Sequence, residues 1–307
     1  MTVEAKPFIK WVGGKRQLIP DLEALLPADF SSREGVTYIE PFVGGGAMLF
    51  HLLQEYKNIT SAVVNDINHD LTTCYRIVRD QPARLLGALK ELQEEYYSTP
   101  TLDGKKAMFL NKRALYNTTA TDDTERTALF LFLNRTCFNG LYRVNKSGQF
   151  NVPFGRYARP TIYNPDVIYA DSALLQNVEI MTGDFEQTLS RVTASALIYL
   201  DPPYRPISET SNFNDYAKEG FNDDDQKRLK AFCDKIDDIG ATFLLSNSDC
   251  LAANGTDRFF DDLYGNYQIK RLWASRNVNA NPNKRGKISE IAVFNRQQND
   301  VPANVTP

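Results

Sequence analysis

Histidine is almost absent from the 307 residues: only His51 and His69 occur. The four cysteines, Cys74, Cys137, Cys233 and Cys250, include no CxxC pair. With so few ligands the usual zinc patterns cannot be assembled. Neither a structural metal nor a disulfide framework is expected, and a reducing cytoplasm fits. Long apolar runs are missing too. No stretch of 18 apolar residues occurs and the opening segment MTVEAKPFIKW has no apolar core, so neither a membrane span nor secretion is expected. Net positive charge is also lacking: 35 Lys and Arg stand against 38 Asp and Glu, giving −3 and a pI near 5.6. That argues against a uniformly basic nucleic-acid coat protein. What is present is ordinary globular composition, 42% hydrophobic and 24% charged, in a chain too long for one small module. One large domain with an insertion, or two modest domains, is expected.

A net charge averages over the whole surface, so its distribution matters more than its sum. From Arg126 to Pro165 there are six basic residues (Arg126, Arg135, Arg143, Lys146, Arg156, Arg159), no acidic one, and eight aromatics interleaved with them. A second acid-free stretch, Leu263 to Ser289, carries Lys270, Arg271, Arg276, Lys284, Arg285 and Lys287. Between them, Asp215 to Asp238 holds eight acids against five bases and masks both stretches in the total. Bases interleaved with aromatics and Asn suit phosphate contact combined with stacking or groove reading. A solvated face over core aromatics has the same composition, and charge counts alone do not choose between the two.

Val36 to Pro41 reads as a short buried strand leading into a glycine turn, followed by a helical pattern through Met48, Leu49, Leu52 and Leu53. Ser61 to Val64 reads as a second strand ending at Asn65-Asp66, with a helix through Ile67, Leu71, Tyr75 and Val78. This alternation opens an α/β fold with a parallel sheet. Further strands are expected at Val178 to Met181, Ala196 to Leu200, Thr242 to Leu245 and Ile288 to Phe294. The interval 82–163 breaks the alternation. Helical periodicity over Pro82 to Tyr97 and Thr124 to Asn134 precedes a β-hairpin pattern over Phe138 to Tyr157, turning at Lys146-Ser147-Gly148. Residues 82–163 are therefore expected to form an inserted domain within a core made of 1–81 and 164–307. Asn299 to Pro307 is expected to be a frayed tail.

PFVGGGAM, from Pro41 to Met48, places three glycines where a strand turns into a helix. Such a turn lets backbone N–H groups approach a ligand closely, with Pro41, Phe42, Gly44 and Gly46 as candidate contacts. Leu49 stands where a third dinucleotide-type glycine would be, which disfavours a pyrophosphate dinucleotide. Asp66, 20 residues after Gly46 at a strand end, can accept hydrogen bonds from ribose hydroxyls. A nucleoside-containing cofactor follows. Trp11-Val12-Gly13-Gly14-Lys15 lacks the upstream glycine of a phosphate loop and has Arg16 where Ser or Thr would hold magnesium, so a nucleoside triphosphatase is disfavoured.

Asp201-Pro202-Pro203-Tyr204 follows directly on the apolar run Ala196 to Leu200. Two prolines stiffen the turn and direct a carboxylate, the Pro202 carbonyl and the Tyr204 ring to one place. An exocyclic amine on a planar base calls for this set. Its lone pair is delocalised into the ring, two acceptors on its hydrogens pull it toward tetrahedral geometry, and an aromatic face holds the base by stacking.

KPFIKWVGGKRQL, YIEPFVGGGAM, Asn65-Asp66, FNGLYRVNKSGQFNVPFGRY, Gly183 to Phe185, YLDPPY, Ser246 to Ser248 and RGKISEI together resemble the Dam-type DNA adenine-N6 methyltransferases, in the alpha group whose glycine motif precedes DPPY. The resemblance spans Lys6 to Asn295. It implies a Rossmann-like methyltransferase core with an inserted helical and β-hairpin target-recognition domain. It also implies that Trp11, Lys15, Asp66 and Asp184 with Phe185 bind S-adenosylmethionine together with the glycine turn and Asp201. Asp201, Pro202 and Tyr204 are implied to hold the target adenine. Lys10, Asn139, Leu141, Arg143, Asn145, Pro153, Arg156 and Tyr157 match DNA-contacting positions, and Phe138 stands where the family has an aromatic wedge. The implied partner is double-stranded DNA, with GATC as target, base flipping as the route to the adenine, and no metal. A cognate restriction endonuclease is a candidate second partner in a bacterial or phage cytoplasm. An RNA or protein-amide methyltransferase, or a catalytically silent DNA-binding relative, remains as an alternative. A cytosine-C5 enzyme would need an activated cysteine, commonly beside proline, and no cysteine here adjoins one.

Overall fold

A computed structural model describes residues 3–118, 122–206, 221–275 and 287–295. Arg276, Lys284, Arg285 and the Lys287 side chain of the second basic stretch lie outside the described residues. So do the opening of the acidic segment, 215–220, and the tail from Asn299 to Pro307.

Among the described residues the strands are β1 (Val36–Glu40), β2 (Ile59–Asp66), β3 (Val178–Thr182), β4 (Ala196–Leu200), β5 (Thr242–Ser248), β6 (Gln268–Ser275) and β7 (Lys287–Phe294). Their order is β3-β2-β1-β4-β5-β7-β6. The helices are α1 (Ile19–Glu23), α2 (Ala47–Glu55), α3 (His69–Asp80), α4 (Pro82–Ser98), α5 (Leu102–Tyr116), α6 (Asp123–Thr136), α7 (Pro165–Leu175), α8 (Asp223–Ile239), α9 (Cys250–Asn254) and α10 (Phe259–Leu263). The expected α/β class with a mostly parallel, Rossmann-like sheet is the one the chain adopts. By its internal contacts the chain divides into two compact units. One comprises Met1–Gly14, Gly44–Glu55 and Asp66–Gly183, and the other Lys15–Val43, Tyr56–Asn65 and Asp184–Pro307.

In the second unit β1 pairs in parallel with β2 on one side and β4 on the other, and β4 continues in parallel to β5. β7 runs antiparallel between β5 and β6. β4 (ALIYL) and β5 (TFLLSNS) are buried at every residue, which is why both read as continuous rather than alternating patterns. Because β1 has neighbours reached in opposite directions, the C-terminal ends of β1 and β4 form a topological switch point, where open α/β sheets bind ligands. The turns beginning at Pro41 and Asp201 leave from those ends.

The first unit is largely helical. α6 is buried along most of its length and packs against α3, α4 and α5. Asn68, Thr101 and Asp122 cap α3, α5 and α6 by accepting backbone N–H groups of the first turn. Arg126 on α6 holds Asp70 on α3 with two hydrogen bonds of 2.8 and 3.0 Å, and the Tyr116 hydroxyl donates to the same carboxylate at 2.5 Å. α5 escaped the sequence reading because Asp103-Gly104-Lys105 hides its core face; Lys105 is buried there and donates to the Tyr96 carbonyl at 2.6 Å. β6 was hidden by Lys270-Arg271 at its centre. Ile67, read as part of a helix face, precedes α3 and is 79% exposed.

The hairpin expected over Phe138 to Tyr157 has antiparallel pairing only at two isolated bridges, Cys137 with Phe154 and Val144 with Phe150. A continuous ladder fails for local reasons. Pro153 has no N–H to donate, and Asn139 and Arg156 take positive φ values of 54° and 59°.

No helix among the described residues is long and apolar enough to cross a membrane. All four cysteines are free and buried. Asp171 on α7 is fully buried. Its Oδ1 accepts the Lys6 N–H at 2.9 Å, and Oδ2 has no partner among the described residues. Burial pushes this carboxyl up to about 7, against the pull of the Lys6 N–H. A carboxyl raised above its unfolded value near 3.8 leaves the folded state fully stable below that value. Stability is then lost as the unfolded chain ionises ahead of it, over the window from about 4 to 7. In Asp171→Asn the midpoint of thermal unfolding, followed by circular dichroism, should fall less between pH 5 and 8 than in the parent chain; parallel declines would contradict the assignment.

Candidate active site

β4 ends on Leu200, and the next residue, Asp201, opens a turn whose two prolines fix φ at successive positions. The turn is anchored from α8 and from the polar end of β5. Gln226 donates to the Pro203 carbonyl at 3.2 Å and accepts from Asn247 at 3.1 Å. Asn247 accepts the Arg205 N–H at 3.3 Å, and the Ser248 hydroxyl donates to the Arg205 carbonyl at 2.8 Å. The Arg205 guanidinium is clamped by Asp223 at 2.8 Å and Asp257 at 2.5 Å. Among the described residues no hydrogen bond is made to the Pro202 carbonyl, whereas Pro203 is committed to Gln226. Two acceptors, the Asp201 carboxylate and the Pro202 carbonyl, thus sit one residue apart on a braced turn.

Lys15 supplies the positive charge. It is 6% exposed, with Nζ 3.4 Å from Asp201 Oδ1, 3.2 Å from Glu290 Oε2 and 4.0 Å from the centroid of the Tyr204 ring. The Tyr204 hydroxyl donates to the same Glu290 oxygen at 2.7 Å. Burial, chiefly, with Glu290 adding to it, pushes the Asp201 carboxyl up to about 6, while Lys15 and Tyr204 pull it back. Lys15 thus favours the ionised, accepting form of Asp201 against burial. Behind it, the Tyr199 hydroxyl lies 3.1 Å from that of Ser246, and Tyr38 donates to Glu40 at 2.8 Å.

At the end of β1, buried Asn65 donates to the Pro41 carbonyl at 3.0 Å. The Phe42 ring packs at 5.2 Å against Phe185 and edge-on at 5.6 Å to Phe221. Phe185 is itself buried against Phe232 of α8. Asp184 caps the 3-10 turn Phe185–Arg191 through the Glu186 N–H at 3.0 Å, and its carboxylate is taken by Arg228 at 3.0 Å. What Asp184 and Phe185 offer a ligand is accordingly backbone more than side chain.

In the first unit the glycine turn takes conformations that only glycine accommodates at low cost. Gly44 has φ +48°, and a Cβ there would come within 2.8 Å of Trp11 Cδ1; at Gly46, φ +70°, it would come within 2.5 Å of the Tyr75 hydroxyl. Tyr75 donates to the Gly44 carbonyl at 3.1 Å. Asp66 accepts the Gly44 N–H through Oδ2 at 3.1 Å and the Asn68 N–H through Oδ1 at 2.9 Å. Burial raises its pKa, and the two N–H groups oppose that rise. Each oxygen keeps a lone pair for a further donor, so this carboxylate fits a vicinal diol such as that of a ribose.

The same unit carries the basic, aromatic segment, which divides cleanly. Arg126 and Arg135 are structural, the latter donating to the Phe8 carbonyl at 2.6 Å, and Phe130, Phe132 and Phe150 are core. Arg143, Lys146, Arg156 and Arg159 are exposed. Phe138 is 51% exposed next to Asn139, which is also exposed. Lys10 is held by its backbone to both ends of the Asn134 amide at 2.9 Å, and its ammonium lies 5.1 Å from the Tyr157 ring centroid. Arg143 Nε donates to Asn151 at 2.7 Å. Asn145 builds the tip, accepting the Ser147 and Gln149 N–H groups at 3.0 and 2.9 Å. Leu141 and Pro153 brace the arch through their carbonyls, which accept the Cys137 thiol at 3.3 Å and the Phe138 N–H at 2.9 Å, and the Pro153 ring is exposed. Tyr142 stacks on Trp11 with centroids 5.6 Å apart.

Glu290, Phe221, Gln226 and Asn247 were not singled out from sequence. Glu290 and Asn247 lie inside the quoted motifs RGKISEI and Ser246 to Ser248, but nothing in their spacing reveals a partner more than 40 residues away. No group of three or more His, Cys, Asp or Glu side chains among the described residues is placed to hold a metal ion.

Comparison with known proteins gives this geometry a family. The model of the D12 class N6 adenine-specific DNA methyltransferases matches residues 11–278. The type II methyltransferase M.MjaIII of Methanocaldococcus jannaschii is 43% identical over 296 residues, 95% of this chain and 100% of that protein. The type II methyltransferase M1.LlaDCHI of Lactococcus lactis subsp. cremoris is 38% identical over 95% of this chain and 96% of its own length. A DNA adenine methylase of Vibrio cholerae is 32% identical over 93% of this chain and 94% of its own. An acceptor-bearing turn after β4, a glycine turn after β1 and a match over most of the length lead to one assignment: the chain belongs to the D12 class of N6 adenine-specific DNA methyltransferases, and it is an enzyme of that class.

Proposed function

We propose that the chain transfers the methyl group of S-adenosylmethionine to N6 of adenine within GATC in duplex DNA. The observation that carries this reading is the end of β4. There the Asp201 carboxylate, with Lys15 at 3.4 Å, and a Pro202 carbonyl with no other hydrogen bond among the described residues offer two acceptors to one amine. GATC is the site that the hairpin residues imply by resemblance.

S-adenosylmethionine, when bound, supplies an electrophilic methyl group on a sulfonium. Asp66 would accept from its ribose hydroxyls. Gly44 and Gly46 give backbone access. Trp11, Pro41 and Phe42 provide apolar surface, Asp184 and Phe185 backbone contacts, and Lys15 with Asp201 the polar contacts. The residues' main task is to orient the amine and exclude water. Asp201 and the Pro202 carbonyl accept hydrogen bonds from the two N6 hydrogens and free the nitrogen lone pair from the ring, while Tyr204 stacks on the base; as the N6–methyl bond forms, one N6 proton is released to Asp201 or to solvent. Residues 82–163 serve as the target-recognition domain, with Arg143, Asn139, Leu141, Asn145, Pro153, Arg156, Tyr157 and Lys10 on the duplex. Phe138, half-exposed and apolar, fills the space left by the flipped base. Flipping costs roughly a few kcal/mol, recovered from phosphate contacts and stacking. The enzyme acts in the cytoplasm, and the type II designation of two relatives supports pairing with a restriction endonuclease of the same site.

Plasmid treated with the protein and S-adenosylmethionine should become resistant to nucleases blocked by GATC adenine methylation and sensitive to those that require it; unchanged digestion would reject GATC. Asp201→Ala should retain DNA binding while methyl transfer drops by about 10²–10³-fold, read as tritium incorporated into duplex; near-normal turnover would remove Asp201 from the chemistry. Arg143→Ala should narrow the gap between cognate and altered sites by ~1–3 kcal/mol if it makes a bidentate base contact. Equal weakening on every sequence would make it a phosphate anchor instead.

A further inference from the structure

We propose that Glu290 on β7 is a positioning residue for methyl transfer, fixing the Tyr204 ring and the Lys15 ammonium beside Asp201. The proposal rests on the reading of Asp201 to Tyr204 as the catalytic turn and assigns a role to a residue outside that turn.

One oxygen of Glu290 does two jobs. Oε2 accepts the Tyr204 hydroxyl at 2.7 Å and the Lys15 ammonium at 3.2 Å. The same ammonium lies 3.4 Å from Asp201 Oδ1 and 4.0 Å from the Tyr204 centroid. Three segments remote in sequence, the loop at Lys15, the turn after β4 and the strand β7, therefore meet on one carboxylate. The strand is a stiff support: Glu290 is paired with Ser248 of β5 on one side and Leu272 of β6 on the other. Its neighbour Ser289 donates to Asp249 at 2.6 Å, which pins the backbone on the alternate position.

Tyr204 can stack on a base only if its ring plane is fixed. The hydrogen bond through the hydroxyl anchors the far end of the Tyr204 ring and so restrains χ1, and the Lys15 ammonium that Glu290 holds 4.0 Å from the ring centroid lies over one face and opposes rotation of the ring plane. Lys15 presents a second difficulty. An ammonium with Asp201 as its sole partner would sit on the acceptor that the amine must use. Glu290 shares that ammonium and keeps Asp201 from being consumed by it.

Glu290 also acts on Asp201 through charge. The groups facing Asp201 are Lys15, Tyr204, Glu290 and Tyr199, with Tyr38 and Glu40 on β1 beyond them. Glu290 favours the protonated form of Asp201, whereas Lys15 favours the ionised form. If the ionised carboxylate is the working form, activity falls as pH drops through its pKa. Removing the Glu290 charge moves that limb to lower pH, and removing Lys15 moves it higher.

The test uses the full chain with S-adenosylmethionine and a GATC duplex, comparing Glu290→Gln and Glu290→Ala with the parent. Glutamine keeps an acceptor for Tyr204 and loses the charge. Glu290→Ala should lower kcat at least about tenfold, with KM for DNA within about threefold, and Glu290→Gln should restore most of that loss. The acidic limb of kcat in Glu290→Gln should shift down by about one pH unit. In a double-mutant cycle, Glu290→Ala should cost less in a Tyr204→Phe background than alone. An unmoved limb in Glu290→Gln, a wild-type kcat in Glu290→Ala, or strict additivity with Tyr204→Phe overturns the proposal. If alanine unfolds the chain, the glutamine limb decides. Near-normal turnover in Asp201→Ala would instead mean that the reading of the turn itself has failed. An inactive Asp201→Ala with an unmoved limb in Glu290→Gln would sink the Glu290 role alone.

Discussion

In the proposed reaction the carboxylate that follows a buried strand must stay charged without being used up, and the contacts around Asp201 in the second unit meet that constraint. Taking an ion out of water costs several kcal/mol even after relaxation. β4 is buried at all five residues, so Asp201 emerges from its least solvated surroundings. Lys15 returns part of that cost at 3.4 Å, and Glu290 holds Lys15 in turn at 3.2 Å. The outcome is a carboxyl pushed up by burial to about 6, with Lys15 opposing the rise. A closer Lys15 pairing would lower that pKa and occupy the acceptor. A missing Lys15 would let burial protonate it.

Asp66 solves the same problem by other means. It ends β2 half-buried, and two backbone N–H groups, of Gly44 and Asn68, stabilise its charge. Neutral donors leave lone pairs open and bring no competing cation, which suits an acceptor for hydroxyls. The glycine turn is what makes this possible, because the N–H of Gly44 reaches Asp66 only from a backbone at φ +48° packed against Trp11. Two strand-end carboxylates with different compensation are thereby suited to different partners: one to a diol, the other to an amine that must lose its conjugation.

Much of this was legible in the sequence because it is local. The apolar run Ala196 to Leu200 ends on Asp201-Pro202-Pro203-Tyr204, and the strand β4 has those bounds. The strand into PFVGGG and the acid at Asp66 likewise lie in consecutive residues. What could not be read arises from distant pairing or from polar residues in buried places. Lys105 conceals the core face of α5 because its ammonium finds the Tyr96 carbonyl, a partner invisible to periodicity. β6 carries Lys270-Arg271 in mid-strand, and Arg271 is tolerated there because Asp249 and Asp261 pair with it. Glu290 is an ordinary strand residue by pattern and becomes significant only when Lys15, 275 positions earlier, is found beside it. The basic segment shows the limit of composition: Arg126 and Arg135 prove structural, and Arg143, Lys146, Arg156 and Arg159 reach solvent.

In the proposed reaction an ionised Asp201 accepts the amine in the methyl-transfer step. Single-turnover rates on preformed enzyme, cofactor and DNA complexes, from pH 4.5 to 8.5, isolate that step from binding. The rate should be level above neutrality and fall about tenfold per pH unit below a midpoint near the Asp201 pKa of about 6. A rate independent of pH across that midpoint, on complexes shown to remain folded, would contradict it.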